Sequence, residues 1–366
     1  MTQTPSDSMA HKGRGAIGNP DNRFFTTRSE AANDGWSTAP EPLPPLATTV
    51  TAVQSRSIIS RNNSPDIPFS QSINPYQGCE HGCIYCYARP THAYLDLSPG
   101  LDFETKLFAK TNAAELLRAE LSLPRHEVSV INLGANTDPY QPIEREHRIT
   151  RALLEVMLET RHPVTLVTKN ALVLRDLDLL QELAKLNLVS VYLSVTSLDP
   201  GLSQVLEPRA SAPHRRLLAI GKLAAAGVPV GAMLAPLIPF VNDGEMEAIV
   251  AAVAEAGAHS AAYTLVRLPL EVKDLFRAWL QEHMPLRAER VMAAITQSRG
   301  GRDNDPRFGT RMVGEGRVAE LLRQRFALAI RKHGLNRPRA PLRSDLFVAP
   351  VRASHKARDQ KQFSLF

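Results

Sequence analysis

The chain has three cysteines, all inside one octapeptide, Cys79-Glu80-His81-Gly82-Cys83-Ile84-Tyr85-Cys86. A Cys-x3-Cys-x2-Cys spacing constrains the fold strongly, because it gathers every thiol onto one short loop. Structural zinc sites close a tetrahedron with four ligands, usually as two separated pairs, and disulfides consume cysteines two at a time. An isolated triplet suits neither. Three thiolates do suit a [4Fe-4S] cluster, which normally takes four and would here keep one iron open to another ligand. Two other readings stand beside this one: a zinc knuckle completed by His81 or His92, and a plain redox thiol cluster.

With 366 residues and 43% hydrophobic composition, the chain can bury one large barrel and still carry extensions. No run of about eighteen apolar residues occurs, and the N-terminus lacks the apolar core of a signal peptide. The expectation is a cytoplasmic protein with no membrane contact, and unpaired cysteines agree with a reducing compartment. The net charge is +6, with Arg and Lys concentrated from Arg299 to Arg317 and from Arg331 to Lys361. Such an excess favours a polyanionic partner, nucleic acid foremost, although no binding-module signature accompanies it.

Residues 1–65 are rich in Pro, Ser, Thr, Asn and Gly and read as a mostly irregular N-terminal arm, with a short β-leaning piece at Ser57 to Ile59. Over residues 66–285, apolar β-rich runs alternate with amphipathic helical stretches. Strands are expected before the cysteine loop and at Val128–Leu133, Val164–Thr168, Val189–Val195, Val228–Leu234 and Ala261–Leu265. The intervening helices are expected at Ala113–Leu121, Thr150–Thr160, Leu172–Leu186, His214–Ala226 and Glu245–Ala256. Six βα units make a parallel α/β core two units short of a closed barrel, hence a partial (β/α)6 TIM-like barrel with its chemistry at the carboxyl ends of the strands. Residues 286–345 read as a helical C-terminal extension with a basic loop, and 346–366 as a flexible basic tail.

The cysteine triplet, with aromatic Tyr85 before its last member, resembles the signature of the radical S-adenosylmethionine (SAM) superfamily. Within it, residues 72–270 resemble the spore photoproduct lyase-like group through Asn136-Thr137-Asp138-Pro139-Tyr140-Gln141-Pro142-Ile143-Glu144, Val167-Thr168-Lys169 and Ser194-Val195-Thr196. The resemblance implies that Cys79, Cys83 and Cys86 hold the cluster and that SAM binds its open iron. It further implies that Thr137, Lys169 and Ser194 take the methionyl amine, the carboxylate and the ribose of SAM, with Tyr85 near adenine. Asp138 and Thr196, at the same strand ends, join the cofactor-binding set. Glu207, Arg209, Arg215 and Arg216 lie where the superfamily often places a carboxylate-binding cation.

One departure separates the chain from the lyases. Their second-strand loop carries a cysteine that returns a hydrogen atom to the product radical, and Ala135 stands at the matching position. Tyr87 and Tyr140 are the remaining candidates for a radical relay. The expected function is therefore reductive cleavage of SAM to a 5′-deoxyadenosyl radical, fed by an electron donor of the flavodoxin or ferredoxin type and directed at a nucleic acid or nucleotide-like substrate. The final residues Gln362-Phe363-Ser364-Leu365-Phe366 resemble the peptide with which bacterial DNA-handling proteins dock on the replication sliding clamp. The contrasting expectation is a non-catalytic metal-binding adaptor of nucleic-acid complexes that uses this basic tail and terminal peptide.

Overall fold

The computed structural model describes residues 11–26, 46–337 and 340–351. Ten strands run in chain order: β1 (Thr49–Val53), β2 (Ser60–Arg61), β3 (Gln71–Ile73), β4 (Tyr76–Gln77), β5 (Lys106–Lys110), β6 (Ile131–Leu133), β7 (Val164–Thr168), β8 (Val189–Ser194), β9 (Val230–Leu237) and β10 (Ser260–Leu265). The large sheet has the order β10-β9-β8-β7-β6-β3-β2. Neighbours from β3 to β10 pair in parallel, so six parallel strands form the expected α/β partial barrel, with β2 added antiparallel at one edge.

Parallel neighbours need a crossover, and the sequence supplies one helix for each. Helices Ala113–Leu121, Ile149–Glu159, Leu177–Lys185, Pro213–Ala225 and Met246–Glu255 alternate with the strands from β6 onward. Each turns a stripe of apolar residues inward, such as Leu153, Leu154 and Met157, or Ile249, Val250 and Val253, all buried. Truncating one of these, Leu153 for example, would leave a cavity costing about 2–5 kcal/mol. The helix expected over Leu172–Leu186 is divided: Asn170 caps a 3-10 turn by accepting from the Leu172 amide at 3.0 Å, and the regular helix starts at Leu177.

A second sheet, ordered β1-β5-β4, flanks the barrel, with β1 parallel and β4 antiparallel to β5. It matters for the site because β4 leads directly into Cys79. Helices Val272–His283 and Ala288–Gln297 build a second apolar core under the cysteine loop, where Phe276, Trp279 and Val291 meet Ile84 and Tyr85. The last helix, Gly316–Lys332, packs on β10 through Phe326 against Tyr263, with ring centroids 4.7 Å apart.

A six-stranded barrel leaves a gap between β10 and β2, and residues 309–312 cross it. Leu265 of β10 donates its amide to the Met312 carbonyl at 2.9 Å. On the opposite side, Gly309 N and Arg311 Nε donate to the two oxygens of Asp66 at 2.7 and 2.5 Å. The start of the tail is docked too, with Val348 N donating to Thr160 O at 2.9 Å and Phe347 edge-on to His162. Residues 352–366, including Gln362–Phe366, lie outside the described residues. No helix among the described residues is long and apolar enough to cross a membrane.

Candidate active site

The cysteine loop follows β3 and β4 at the carboxyl end of the sheet, and its conformation is fixed by a buried ion pair. Arg89 Nη2 meets Glu104 Oε1 at 2.5 Å, both side chains fully buried. The same guanidinium donates to the carbonyls of Gly82, Cys83, Pro99 and Gly100 at 2.9–3.2 Å. Glu104 accepts in addition from the amides of Gly15 and Ala16 at 3.0 and 2.9 Å, which pins the N-terminal arm to the back of the loop. The approach is close enough that a Cβ on Gly15 would lie 1.8 Å from the Gly82 carbonyl. Only glycine fits there.

Cys79 and Cys83 are buried and Cys86 is nearly so. Burial pushes all three thiols above their usual range, and the Asp138 carboxylate adds to this at Cys79, as Glu207 does at Cys83. Backbone N–H groups oppose it: those of Ala88 and Arg89 face the Cys86 sulfur, and that of Asp138 faces Cys79. Thiols that are buried yet offered amide donors are suited to act as thiolates once a cationic metal group supplies the missing charge. Among the described residues no three Cys, His, Asp or Glu side chains converge on a single metal ion. A four-iron cluster takes its thiolates on separate irons, so it does not require that convergence. The two histidines a zinc knuckle would use are committed elsewhere: His81 to Asp138 at 3.3 Å and to Asn170 at 3.4 Å, and His92 to the Lys106 carbonyl at 2.9 Å.

The structure brings most of the sequence-derived residues to this face, in different states. Asp138 is saturated: Oδ1 accepts from Tyr140 N and Thr168 Oγ1 at 2.8 and 2.7 Å, and Oδ2 from Lys169 N and His81 Nδ1 at 2.7 and 3.3 Å. Burial opposes its charge, but His81 and these donors prevail and hold its pKa below the ordinary carboxylate range. It therefore braces β6, β7 and the cysteine loop together. Thr137 is buried and donates its hydroxyl to the Tyr76 carbonyl at 2.9 Å, leaving its lone pairs. Thr196 and Tyr85 both donate to Glu207, Thr196 at 2.5 Å. Ser194, also buried, passes its carbonyl to Arg216 at 3.0 Å.

Glu207 and Arg216 form a second fully buried ion pair. Burial raises the Glu207 carboxyl, yet Arg216, Lys169 and the two hydroxyls bring its pKa below the usual value. Arg216 is thus consumed internally. Lys169 is not, since among the described residues its ammonium has no salt-bridge partner and lies 5.9 Å over the Tyr85 ring. Tyr87 is 46% exposed and reaches from the loop to the Ala135 carbonyl at the end of β6. Tyr140 is fully buried in the main core with its hydroxyl on Asp176 at 3.1 Å, away from this surface.

Sequence reasoning missed Arg89, Glu104 and Arg267. Arg267 carried a legible signal, a charged residue just past the apolar run of β10; the other two carried none, because their meaning lies in contacts formed only on folding.

The fold and the loop together define an α/β partial-barrel protein with a three-cysteine centre at the carboxyl ends of its strands. The family model for the radical SAM superfamily matches residues 73–253. An uncharacterized protein of Mycobacterium tuberculosis H37Rv is 35% identical over 297 residues, 80% of this chain and 83% of its own. One of Methanocaldococcus jannaschii is 27% identical, covering 58% of this chain and 76% of its own. Among solved structures, spore photoproduct lyase complexed with dinucleoside spore photoproduct superposes with a TM-score of 0.54 at 18% identity, over 78% of this chain and 79% of that one. That likeness shows a shared fold. The chain belongs to the radical SAM superfamily.

Proposed function

We propose that this protein holds a [4Fe-4S] cluster through Cys79, Cys83 and Cys86 and binds SAM beside it, as an enzyme acting on a nucleic acid or nucleotide-like substrate. One observation carries the reading: three thiols gathered on one enclosed loop, two of them supplied with amide donors, next to a lysine ammonium that forms no ion pair among the described residues. Bound and reduced, the cluster and SAM would supply a 5′-deoxyadenosyl radical able to take a hydrogen atom from a substrate C–H bond.

The residues of the chain divide the remaining work. Lys169 offers an ionic hydrogen bond to the methionyl carboxylate, the group of SAM that needs one. The Thr137 lone pairs would be free to take the methionyl ammonium, and the Ser194 hydroxyl would suit a ribose. Tyr85, held by Glu207, would lie near adenine. The Glu207–Arg216 pair sets that ring and the β8 end without exposing a charge that would compete for the cofactor.

With alanine at position 135, hydrogen return falls to Tyr87, whose phenol sits on that alanine's carbonyl. Tyr140 is too deeply buried against Asp176 for that part. The substrate class rests on the net charge of +6 and on the arginines near the open side of the barrel.

The test is anaerobic incubation of reconstituted, reduced protein with SAM, followed by chromatography for 5′-deoxyadenosine and methionine. Formation that falls at least tenfold in Lys169→Ala supports the reading; no 5′-deoxyadenosine from the wild type under any reductant contradicts it.

A further inference from the structure

Arg267 follows β10 and reaches across the mouth of the barrel to Tyr87, its guanidinium carbon 5.6 Å from the centre of that ring. It is half-buried, and among the described residues its fully buried Nε has no hydrogen-bond partner. Its one hydrogen bond goes to the Met312 thioether at 3.5 Å, a weak acceptor. Asp66, whose charge reaches it, is occupied by Gly309 N and Arg311 Nε. Arg311 itself faces Arg267 as a second positive charge.

The neighbouring arginine behaves differently. Arg299 donates to the carbonyls of Leu265, Val266, Thr310 and Arg311 at 2.7–3.2 Å, so it fastens the gap-crossing segment to β10. Enclosing a guanidinium nitrogen without an acceptor is costly, and a fold that satisfies Arg299 so fully leaves the half-buried Arg267 with an aromatic face and a sulfur. Beside it, Arg311 stacks at 4.6 Å on Phe308, which is 58% exposed at the rim. An open aromatic ring next to a cluster of guanidinium groups matches the two halves of a nucleotide, a base to stack and a phosphate to clamp.

We propose that Arg267 is the phosphate-binding residue of the substrate subsite, holding a phosphodiester or phosphate oxygen beside Tyr87 while a base stacks on Phe308. The proposal rests on the functional reading above and narrows its substrate class to a nucleotide bearing a phosphate at the reacting position. Arginine suits the task better than lysine because its fork can meet two phosphate oxygens at once.

The experiment is anaerobic calorimetry of the reconstituted full chain with thymidylyl-thymidine and with its uncharged methylphosphonate analogue. The wild type is expected to bind the phosphodiester at least tenfold more tightly, with an affinity that falls as salt rises. Arg267→Gln should abolish that preference and lower the salt slope by about one. Arg267→Lys should keep part of it, and Phe308→Ala should weaken binding of both probes by about 5- to 100-fold. Melting curves confirm that each variant is folded. Retention of the tenfold preference in Arg267→Gln, or no preference in the wild type, overturns the subsite. Unchanged binding in Phe308→Ala overturns its nucleotide character. These outcomes are read from binding alone, so they are distinguishable from a failure to cleave SAM, which would overturn the functional reading instead.

Discussion

The back of the cysteine loop and the mouth of the barrel are both rich in buried arginine, yet they are built on opposite terms. Behind the loop, Arg89 faces Glu104 and four carbonyls, and Arg216 faces Glu207 and two carbonyls, so each positive charge is met inside the protein. At the mouth, Lys169 and Arg267 lie over aromatic rings and form no ion pair among the described residues, although Lys169 feels the charge of Glu207 and Arg267 that of Asp66. The contrast separates residues whose charges are met inside the protein from the two for which a ligand role is proposed. Buried charge that is fully paired serves shape; buried charge left unpaired is a cost that a bound anion would relieve.

Breaking the paired region should have the largest effect. Arg89→Ala leaves Glu104 buried without its cation and frees four loop carbonyls, so a loss of about 3–5 kcal/mol is expected, read by denaturant titration. Iron content after reconstitution should fall with it. A variant as stable as wild type, with full iron loading, would erase the proposed division between the two regions.

Glu207→Gln comes next, at about 3 kcal/mol, because Arg216 loses the carboxylate it pairs with. A pH dependence sharpens this. Burial raises the Glu207 carboxyl, but Arg216, Lys169 and the hydroxyl donors lower it more, so its folded pKa lies below the ordinary glutamate value of 4.5. Its stabilising contribution is therefore present above pH 4.5 and is lost as pH falls through the folded value. Wild type should lose stability on acidification in that window and Glu207→Gln should lose less. Parallel acid curves for the two proteins would contradict the assignment.

Arg267→Met should behave in the opposite sense. Removing a half-buried cation that has no ion-pair partner among the described residues is expected to leave stability unchanged or raise it by about 1 kcal/mol, measured by melting under the same conditions. A loss of several kcal/mol would place Arg267 with the holding residues. Lys185→Ala supplies the baseline, since its exposed pair with Glu182 is expected to contribute no more than about 0.5 kcal/mol.

The barrel was legible because local periodicity and long-range placement agree there. The helix Ala113–Leu121 and the strand Val164–Thr168 follow from apolar spacing alone, and alternation of such pieces implies a parallel sheet. The flanking sheet was not legible. Lys106–Lys110 is a short alternating run after a helical turn, and its partner β1 lies more than fifty residues earlier, with Thr49 opposite Lys106. Nothing in either segment announces the other.

At the site, the thiols could be read from spacing because their chemistry depends on being adjacent in sequence. The sequence pattern places Asp138 in the cofactor set, whereas the fold engages it in four contacts with the protein itself. Residue type marks a carboxylate as useful, but only the fold says who uses it. Arg216 was noted as a cation past the fourth strand, and its pairing with Glu207 is likewise a product of packing.

The most direct test of the account is electron paramagnetic resonance of the anaerobically reconstituted, reduced protein, with iron and sulfide analysis, before and after addition of SAM. The account predicts about four irons per chain and a reduced [4Fe-4S] signal that changes with SAM and is lost in Cys83→Ala. Stoichiometric zinc with no iron signal, or a signal indifferent to SAM, would contradict it.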